Sequence, residues 1–376
     1  MVIHSFRGGI HPAAHGKERQ DGLLPVREAA PPKLAAIFLS QGVGAPCKPL
    51  VKTGQRVLLG EKIGEPAGFV GAPIHSPVSG RVKGMEARPN AAGRPSEAIV
   101  IENDGLDERC ESLAPVDNPL EAPAEELLSR IREAGIVGMG GAGFPTHVKL
   151  SPPPEKKITY IIVNGAECEP YLTSDHRVML ESPDEVISGL EAVMKIFSLD
   201  KAYIGIEENK PDAIEAIRAA AKRIPGTEVI CLAKKYPQGA EKQLIKAITG
   251  REVPSGGLPM DVGCLVLNVD TATEIARVVG QGIPLMKRVV AGGAVAQPAN
   301  LRVRIGTPFR EVIEAAGGLC AEPKKIVMGG PMMGIAGYSL DVPVVKGTSG
   351  ILAFTEEEVS IRSVTNCIRC GKCVKV

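Results

Sequence analysis

The sequence predicts a multidomain α/β protein in which a central α/β domain lies between two β-rich modules. With 376 residues and 44% hydrophobic content, the chain is long enough to bury several separate cores. Helix-like and strand-like segments alternate through its central part, which favours a mostly parallel sheet covered by helices. Short β-branched runs interrupted by Gly and Pro come before and after that part.

Residues 1–117 are predicted to form a small all-β barrel or sandwich. The runs PLVKTGQRVLLGEKIGEP and APIHSPVSGRV place β-branched residues between Gly and Pro turns. The pattern resembles the lipoyl and biotinyl carrier fold, a barrel-sandwich in which a lysine at a hairpin tip carries a prosthetic group. The matching stretch, residues 69–71, contains no lysine. We therefore expect a structural or docking module without a swinging group.

Residues 118–282 are predicted to form the α/β domain. Its predicted helices are EELLSRIREAG, PDEVISGLEAVMKIF, PDAIEAIRAAAKRI, AEKQLIKAITG and TATEIARVVGQG, and its predicted strands are ITYIIV, AYIGI, EVICL and GCLVLNV. Residues 283–358 become β-rich again, with KRVVAGGAV, LRVRIG and KKIVMGGPMMG around one helix, PFREVIEAAGG. Ligands of α/β domains usually bind at the loops between such elements.

The composition of the chain disfavours several classes of partner and location. Lys plus Arg (44) and Asp plus Glu (43) nearly cancel, so no excess of positive charge favours a nucleic acid or an anionic membrane surface. No apolar run reaches the roughly 18 residues that cross a bilayer, so membrane attachment is expected only through other subunits. The nine cysteines, without a recognisable signal peptide, favour reduced thiols in the cytoplasm over a disulfide framework.

The most informative segment is GIVGMGGAGFPTHVKL, residues 135–150, in which glycine is dense. Glycine exposes backbone N–H groups and lets a phosphate approach closely, and Lys149 supplies a positive charge nearby. The string Gly138-x-Gly140-x-x-Gly143 matches the dinucleotide fingerprint, but that fingerprint follows a strand and opens a helix. Here a helix precedes the loop and a strand follows it. An ordinary Rossmann site is therefore disfavoured, and a nucleotide site of another kind is expected.

The last segment, residues 359–376, is predicted to begin a ferredoxin domain. Cys367, Cys370 and Cys373 form C-x-x-C-x-x-C, three of the ligands of a bacterial four-iron cluster. The expected fourth cysteine would follow Val376, so we expect a chain truncated inside this domain, with two 4Fe–4S clusters in the full-length protein. Zinc is the competing interpretation, although structural zinc sites usually pair two separated C-x-x-C units.

Three motifs, in order along the chain, carry a family resemblance. GMGGAGFPTHVK, NGAECEP (residues 164–170) and LNVDT (residues 267–271) resemble the flavin mononucleotide (FMN) and NADH site of the complex I flavin subunit family. Within that superfamily, FRGGIHP (residues 6–12) narrows the resemblance to the C subunits of the Rnf electron-transport complex. It covers essentially the whole chain. It also implies that residues 283–358 form a β-grasp module of the soluble-ligand-binding type, whose expected role is to space the flavin from the iron–sulfur domain.

The resemblance implies which residues hold the cofactors. Phe144 is expected to pack on the nicotinamide nucleotide, Glu169 to lie on the nicotinamide side, and Lys149, Asn164 and Glu167 to contact FMN. The complete predicted cofactor set is Gly138, Gly140, Gly141, Gly143, Phe144, Lys149, Asn164, Glu167, Glu169, Glu241, Asn268 and Thr271. Asp270 and Thr271 have the alternative role of a helix cap. Ala166 and Ala240 replace an aspartate and a glutamate that are usual in complex I.

The resemblance also implies an activity. We expect hydride exchange between NAD(H) and FMN, followed by single-electron transfer to or from 4Fe–4S clusters. The expected setting is a membrane complex that translocates ions and in which this subunit exchanges electrons with ferredoxin only indirectly. No catalytic acid, base or nucleophile is predicted, since flavin supplies the chemistry. The expected location is peripheral, on the cytoplasmic face of the cell membrane, in contact with the other Rnf subunits.

Two alternatives stay open at this stage. A related flavin and iron–sulfur cobalamin reductase shares GGAGFPTHVK, but FRGGIHP argues against it. A non-catalytic docking scaffold would use the carrier-like and β-grasp modules to bind partners and would leave the altered flavin site empty. Failure to bind FMN would favour that scaffold.

Overall fold

A computed structural model of the chain describes residues 2–12, 24–111, 121–282, 285–337, 339–359, 366–371 and 374. The predicted multidomain α/β architecture is confirmed: two packed β-sheets, a parallel sheet flanked by helices, and a mixed sheet follow one another. Among the described residues, every helix is too short or too polar to traverse a bilayer.

The first module consists of two small antiparallel sheets around one core. The larger has the strand order β3 (Leu34–Phe38), β9 (Pro95–Asn103), β8 (Gly80–Pro89) and β5 (Arg56–Val57), and the smaller β4 (Cys47–Pro49), β6 (Lys62–Pro66) and β7 (Ile74–His75). Ile37 and Ile99 of the larger sheet pack with Ile63 and Ile74 of the smaller, and all four are buried. Alternate residues of a strand face opposite sides, so each sheet turns one apolar face inward.

The central module contains a five-stranded parallel sheet. Its order is β1 (Ile3–His4), β12 (Thr227–Leu232), β11 (Ala202–Glu207), β10 (Tyr160–Gly165) and β13 (Cys264–Asn268). On β10, Ile161 and Val163 enter one core and Ile162 enters the other. Helices therefore cover both faces, as expected for a parallel sheet.

The described helices of this module comprise five that the sequence predicts and two, beginning at Thr146 and Ser174, that it does not. They are α1 (Ala124–Glu133), α2 (Thr146–Lys149), α3 (Ser174–Glu181), α4 (Pro183–Phe197), α5 (Pro211–Ala221), α6 (Glu241–Thr249) and α7 (Val269–Ile275), the last continued by a π-helical turn (Ala276–Gly280). Helix α5 ends at Ala221, before the predicted Ile224. Helix α7 begins at Val269, earlier than predicted, because the Asn268 side chain caps it.

The third module is a six-stranded mixed sheet packed on α8 (Phe309–Ala315). Its order is β17 (Ile335–Gly337), β16 (Lys325–Met328), β18 (Gly350–Phe354), β14 (Met286–Gly293), β15 (Ala299–Arg304) and β2 (Arg27–Glu28). Val289 and Leu301 pack against Val312 and Ile313 of the helix. Residues 360–365, 372–373 and 375–376 of the expected ferredoxin segment lie outside the described residues.

Two short N-terminal strands join sheets of other modules. Strand β1 pairs with β12 of the central sheet, and β2 pairs with β15 of the third module. The N-terminal residues therefore tie the three modules together. The domain limits 1–117, 118–282, 283–358 and 359–376 stay predictions.

Candidate functional site

A cavity of about 410 Å³ lies between the glycine loop, which we define as residues 138–144, the whole length of β13, and Asn164 near the carboxyl end of β10. The carboxyl ends of parallel strands are where α/β domains commonly bind ligands. Most of the predicted cofactor residues line this cavity, namely Gly138, Gly140, Gly141, Gly143, Phe144, Lys149, Asn164, Glu241, Asn268 and Thr271.

The glycine loop is held by hydrogen bonds at its base and is open along its middle. The Gly138 amide donates to the Phe144 carbonyl at 2.9 Å, and the Met139 amide donates to Thr271 Oγ1 at 3.0 Å. Gly140 and Gly141 are exposed, and a Cβ added to Gly141 would meet nothing within 4 Å. The exposed backbone here, with open space beside Gly141, suits the close approach of a phosphate group.

A second wall of the cavity carries an ion pair. Lys149, at the end of α2, donates from Nζ to Glu241 Oε1 at 2.6 Å and to the Val266 carbonyl at 2.9 Å. Both side chains are partly exposed, with 29% and 43% of their surfaces accessible. The lysine is thus held in place by the protein while it still faces the cavity.

Two asparagines meet at the sheet edge. Asn268 ends β13, Asn164 is the penultimate residue of β10, and the two are opposite each other in register. Asn164 Nδ2 donates to the Gly239 carbonyl at 2.8 Å, and Asn268 Nδ2 donates to Asp175 Oδ2 at 2.6 Å. Asn268 Oδ1 accepts from the Asp270 amide at 2.8 Å. The cap of α7 is therefore Asn268, and the cap role considered for Asp270 and Thr271 is wrong.

Glu167 and Glu169 are not among the residues that line the cavity. Glu167 is buried and accepts from the Asp175 amide at 2.9 Å and the His176 amide at 3.3 Å, at the beginning of α3. Glu169 Oε2 accepts from the Met332 amide at 2.9 Å, so it reaches into the third module. Both have structural contacts, and their cofactor roles stay predictions.

Asp175 is a residue that sequence reasoning missed. Burial, with Glu167 and Asp270 nearby, raises the pKa of Asp175 to about 7. Its hydrogen bond to Asn268 connects this carboxyl group to the cavity wall. Asp175 follows NGAECEP closely in the sequence, which is only a weak signal of a role at the site. Its raised pKa depends in part on Asp270, and only the fold brings these two residues together.

The segment FRGGIHP packs against the loop that follows β12. Lys235 Nζ donates to the carbonyls of Phe6 and Gly8 and lies 3.9 Å above the Phe6 ring. Ile10 pairs with Tyr236, and the same loop continues to Gly239, which lines the cavity. This N-terminal segment therefore supports one wall of the site.

The cysteine motif is only partly described. Cys367 and Cys370 are free and exposed, and Cys373 lies outside the described residues. No group of three or more metal-ligating side chains occurs in the part of the chain that the structure describes. The cluster ligands stay a prediction.

Family models match three parts of the chain. The Nuo51 FMN-binding domain matches residues 131–277, the RnfC barrel sandwich hybrid domain residues 4–106, and the SLBB domain residues 289–336. The cavity residues Gly138 to Thr271 fall inside the FMN-binding match.

The alignments with similar proteins cover nearly all of the chain. It is 48% identical over 374 residues to the C subunit of the Na⁺-translocating ferredoxin:NAD⁺ oxidoreductase complex of Acetobacterium woodii, covering 99% of this chain and 84% of that protein. This chain belongs to the family of Rnf C subunits. A second relative, the C subunit of the proton-translocating complex of Clostridium ljungdahlii, is 49% identical over 378 residues, covering 100% of this chain and 82% of that protein.

The fold of this Rnf C subunit also resembles a solved structure. An NAD⁺-reducing [NiFe]-hydrogenase in the H₂-reduced state aligns with a TM-score of 0.52 and 23% identity, over 65% of this chain and 49% of the hydrogenase chain. At that identity the likeness supports the fold alone. The predicted Rnf family and fold class are confirmed by the relatives and the three family matches together.

Proposed function

We propose that this Rnf C subunit exchanges hydride between NAD(H) and FMN and passes electrons singly to or from 4Fe–4S clusters. The observation that carries the proposal is the cavity along β13, which lies within the FMN-binding match and is lined by the glycine loop, Lys149 and both asparagines. FMN, when bound, supplies the hydride and one-electron chemistry. The protein supplies binding, orientation and electrostatics.

Each wall of the cavity has a role in this proposal. The exposed backbone at Gly140 and Gly141 suits the phosphate of FMN, and the Lys149 ammonium adds positive charge beside Glu241. Phe144, partly buried at the end of the glycine loop, offers an aromatic face to the nicotinamide nucleotide. The donor set therefore fits a phosphorylated, planar ligand.

Ala166 and Ala240, which stand where complex I usually has acidic residues, are compatible with this arrangement. Ala166 is 4% exposed and directly follows β10, where its amide donates to Asn164 Oδ1 at 3.1 Å. Ala240 precedes α6, with Glu241 as the first residue of that helix. The carboxylate that remains, Glu241, is the one paired with Lys149. The position of bound NADH in this protein then depends on fewer acidic side chains than in complex I.

The names of its relatives support the wider role. They are subunits of ferredoxin:NAD⁺ oxidoreductase complexes, one that translocates Na⁺ and one that translocates protons. By analogy, this chain acts with the other Rnf subunits on the cytoplasmic face of the membrane, exchanges electrons with ferredoxin indirectly, and uses Cys367, Cys370 and Cys373 as cluster ligands. No nucleic acid enters this role.

The test is stoichiometric FMN binding. The purified chain is incubated with FMN, separated from excess cofactor by desalting, and its bound FMN measured per protein by absorbance. One FMN per chain in the wild type, reduced in the Lys149→Met variant, supports the proposal. A folded wild-type protein that retains none contradicts it and favours the docking-scaffold alternative.

A further inference from the structure

Residues 41–43 of the first module contact the glycine loop from outside the FMN-binding match. The Val43 amide donates to the Gly143 carbonyl at 3.3 Å. A Cβ added to Gly42 would lie 2.3 Å from that same carbonyl oxygen, so the two backbones touch. Gly143 has φ +68, a conformation that glycine adopts readily. The contact fixes the end of the loop.

Lys346 of the third module binds the segment that directly precedes the glycine loop. Its Nζ donates to the Gly135 carbonyl at 2.6 Å and to the Pro73 carbonyl at 2.7 Å. Its backbone amide donates to Gln41 Oε1 at 3.1 Å. A Cβ on the next residue, Gly347, would lie 3.3 Å from the Gly141 carbonyl oxygen. One residue thus joins all three modules beside the loop.

The burial of Lys346 has an energetic cost. Only 3% of its surface is exposed, and burial lowers the pKa of its ammonium to about 8. A buried charge is unfavourable unless hydrogen bonds compensate for lost water, and here two backbone carbonyls supply them. An apolar side chain would fill the space at lower cost but would hold neither Gly135 nor Pro73.

We propose that Gly42 and Lys346 are positioning residues for FMN, which hold the glycine loop from the two flanking modules in its binding shape. This inference rests on the proposed function. A glycine-rich loop loses much conformational entropy when it becomes ordered. Contacts that order the loop beforehand remove that loss from the binding step and so raise affinity.

Matched variants separate positioning from general stability. Gly42→Ala places a Cβ against the Gly143 carbonyl, whereas Gly68→Ala, in the same module, places its Cβ 3.9 Å from the nearest atom. Lys346→Met is matched by Lys210→Met, which removes an equally buried lysine, 2% exposed, that is paired with Glu207 at 3.0 Å. Both controls leave the glycine loop untouched.

The first measurement is amide hydrogen exchange in the cofactor-free proteins. The Gly138 and Met139 amides, which are hydrogen-bonded in the loop, should exchange at least about tenfold faster in Gly42→Ala and Lys346→Met than in the two controls. Equal exchange in all four variants would overturn the inference. This readout does not depend on activity or on bound FMN.

The second measurement is the FMN dissociation constant, by quenching of flavin fluorescence under conditions where each variant is folded. It should rise at least about fivefold in Gly42→Ala and Lys346→Met and stay at the wild-type value in the controls. Unchanged affinity in all variants of a wild type that binds FMN would overturn only this inference. A wild type that binds no FMN would overturn the proposed function and this inference together.

Discussion

Lys149 Nζ and Glu241 Oε1 lie 2.6 Å apart on one wall of the candidate flavin cavity, although they are 92 positions apart in the chain. Glu241 holds the Lys149 ammonium beside the cavity in which a phosphorylated ligand is expected. The Lys149→Met variant should therefore bind FMN roughly 10- to 100-fold more weakly, the loss expected for one charge-assisted hydrogen bond. Fluorescence titration with FMN measures this.

A double-mutant cycle separates the two partners. If Glu241 acts by orienting Lys149, Glu241→Gln should weaken FMN binding less than Lys149→Met, and the double variant no more than Lys149→Met. Lys83→Met, which disrupts an exposed pair with Glu102, is the control. Wild-type affinity in Lys149→Met would remove this lysine from the site.

Two adjacent glycines should respond differently to alanine. A Cβ on Gly140 would lie 2.6 Å from Asn268 Nδ2, whereas one on Gly141 would meet nothing within 4 Å. Gly140→Ala should therefore lower the free energy of unfolding by about 1–3 kcal/mol, and Gly141→Ala should change it by less than about 1 kcal/mol. Urea denaturation of the cofactor-free proteins measures both. Equal losses would show that Asn268 is free to move.

Asp175 should make stability depend on pH. Burial first, then Glu167 and Asp270, raise its pKa from 3.8 to about 7. Between about pH 4 and pH 7 the folded protein retains a proton that the unfolded chain has released, so the free energy of unfolding falls as pH rises through that window. Asp175→Asn removes this contribution.

The comparison is urea denaturation at pH 5 and pH 8. Wild type should lose more stability between these values than Asp175→Asn, by an amount on the order of 2 kcal/mol. The exposed Asp200→Asn variant should follow the wild type. If Asp175→Asn shows the same pH dependence as the wild type, another group dominates this window.

A buried ion pair joins the central and third modules. Lys287 Nζ lies 2.8 Å from Asp270 Oδ2, and both side chains are 2% exposed. Lys287→Met should lower the free energy of unfolding by about 3–5 kcal/mol, because it removes the buried ammonium that neutralises the Asp270 carboxylate, and Lys287→Met with Asp270→Asn should recover part of that loss. Chemical denaturation measures both variants. A double variant as unstable as the single one would show that the charge is not the cause.

Much of the fold could be predicted from local pattern. The helix over PDEVISGLEAVMKIF corresponds to α4, because Pro at its first position and apolar residues at helical spacing both specify it. The end of α5 and the beginning of α7 differed from prediction, since helix ends depend on individual caps. The pairing of β1 with β12 could not be predicted, because two residues carry no periodic signal.

Some residues of the candidate site could be predicted from the sequence, and others could not. Motif residues such as Gly140 and Lys149 could be found from sequence, since they lie in one glycine-rich segment. Glu169 illustrates the limit: its motif suggested the cofactor, while its carboxylate accepts from the Met332 amide. Gln41 and Lys346 gave no signal, because they meet across 305 positions and only the packing of three modules brings them together.

Hydride exchange between NADH and FMN is tested by an anaerobic titration of the FMN-loaded protein with NADH while the flavin absorbance is recorded. We expect the flavin band to bleach with about one NADH per bound FMN, because a hydride carries both electrons. The measurement does not depend on the cysteine motif. Retained FMN that stays oxidised in excess NADH would contradict the proposed NAD(H):FMN exchange.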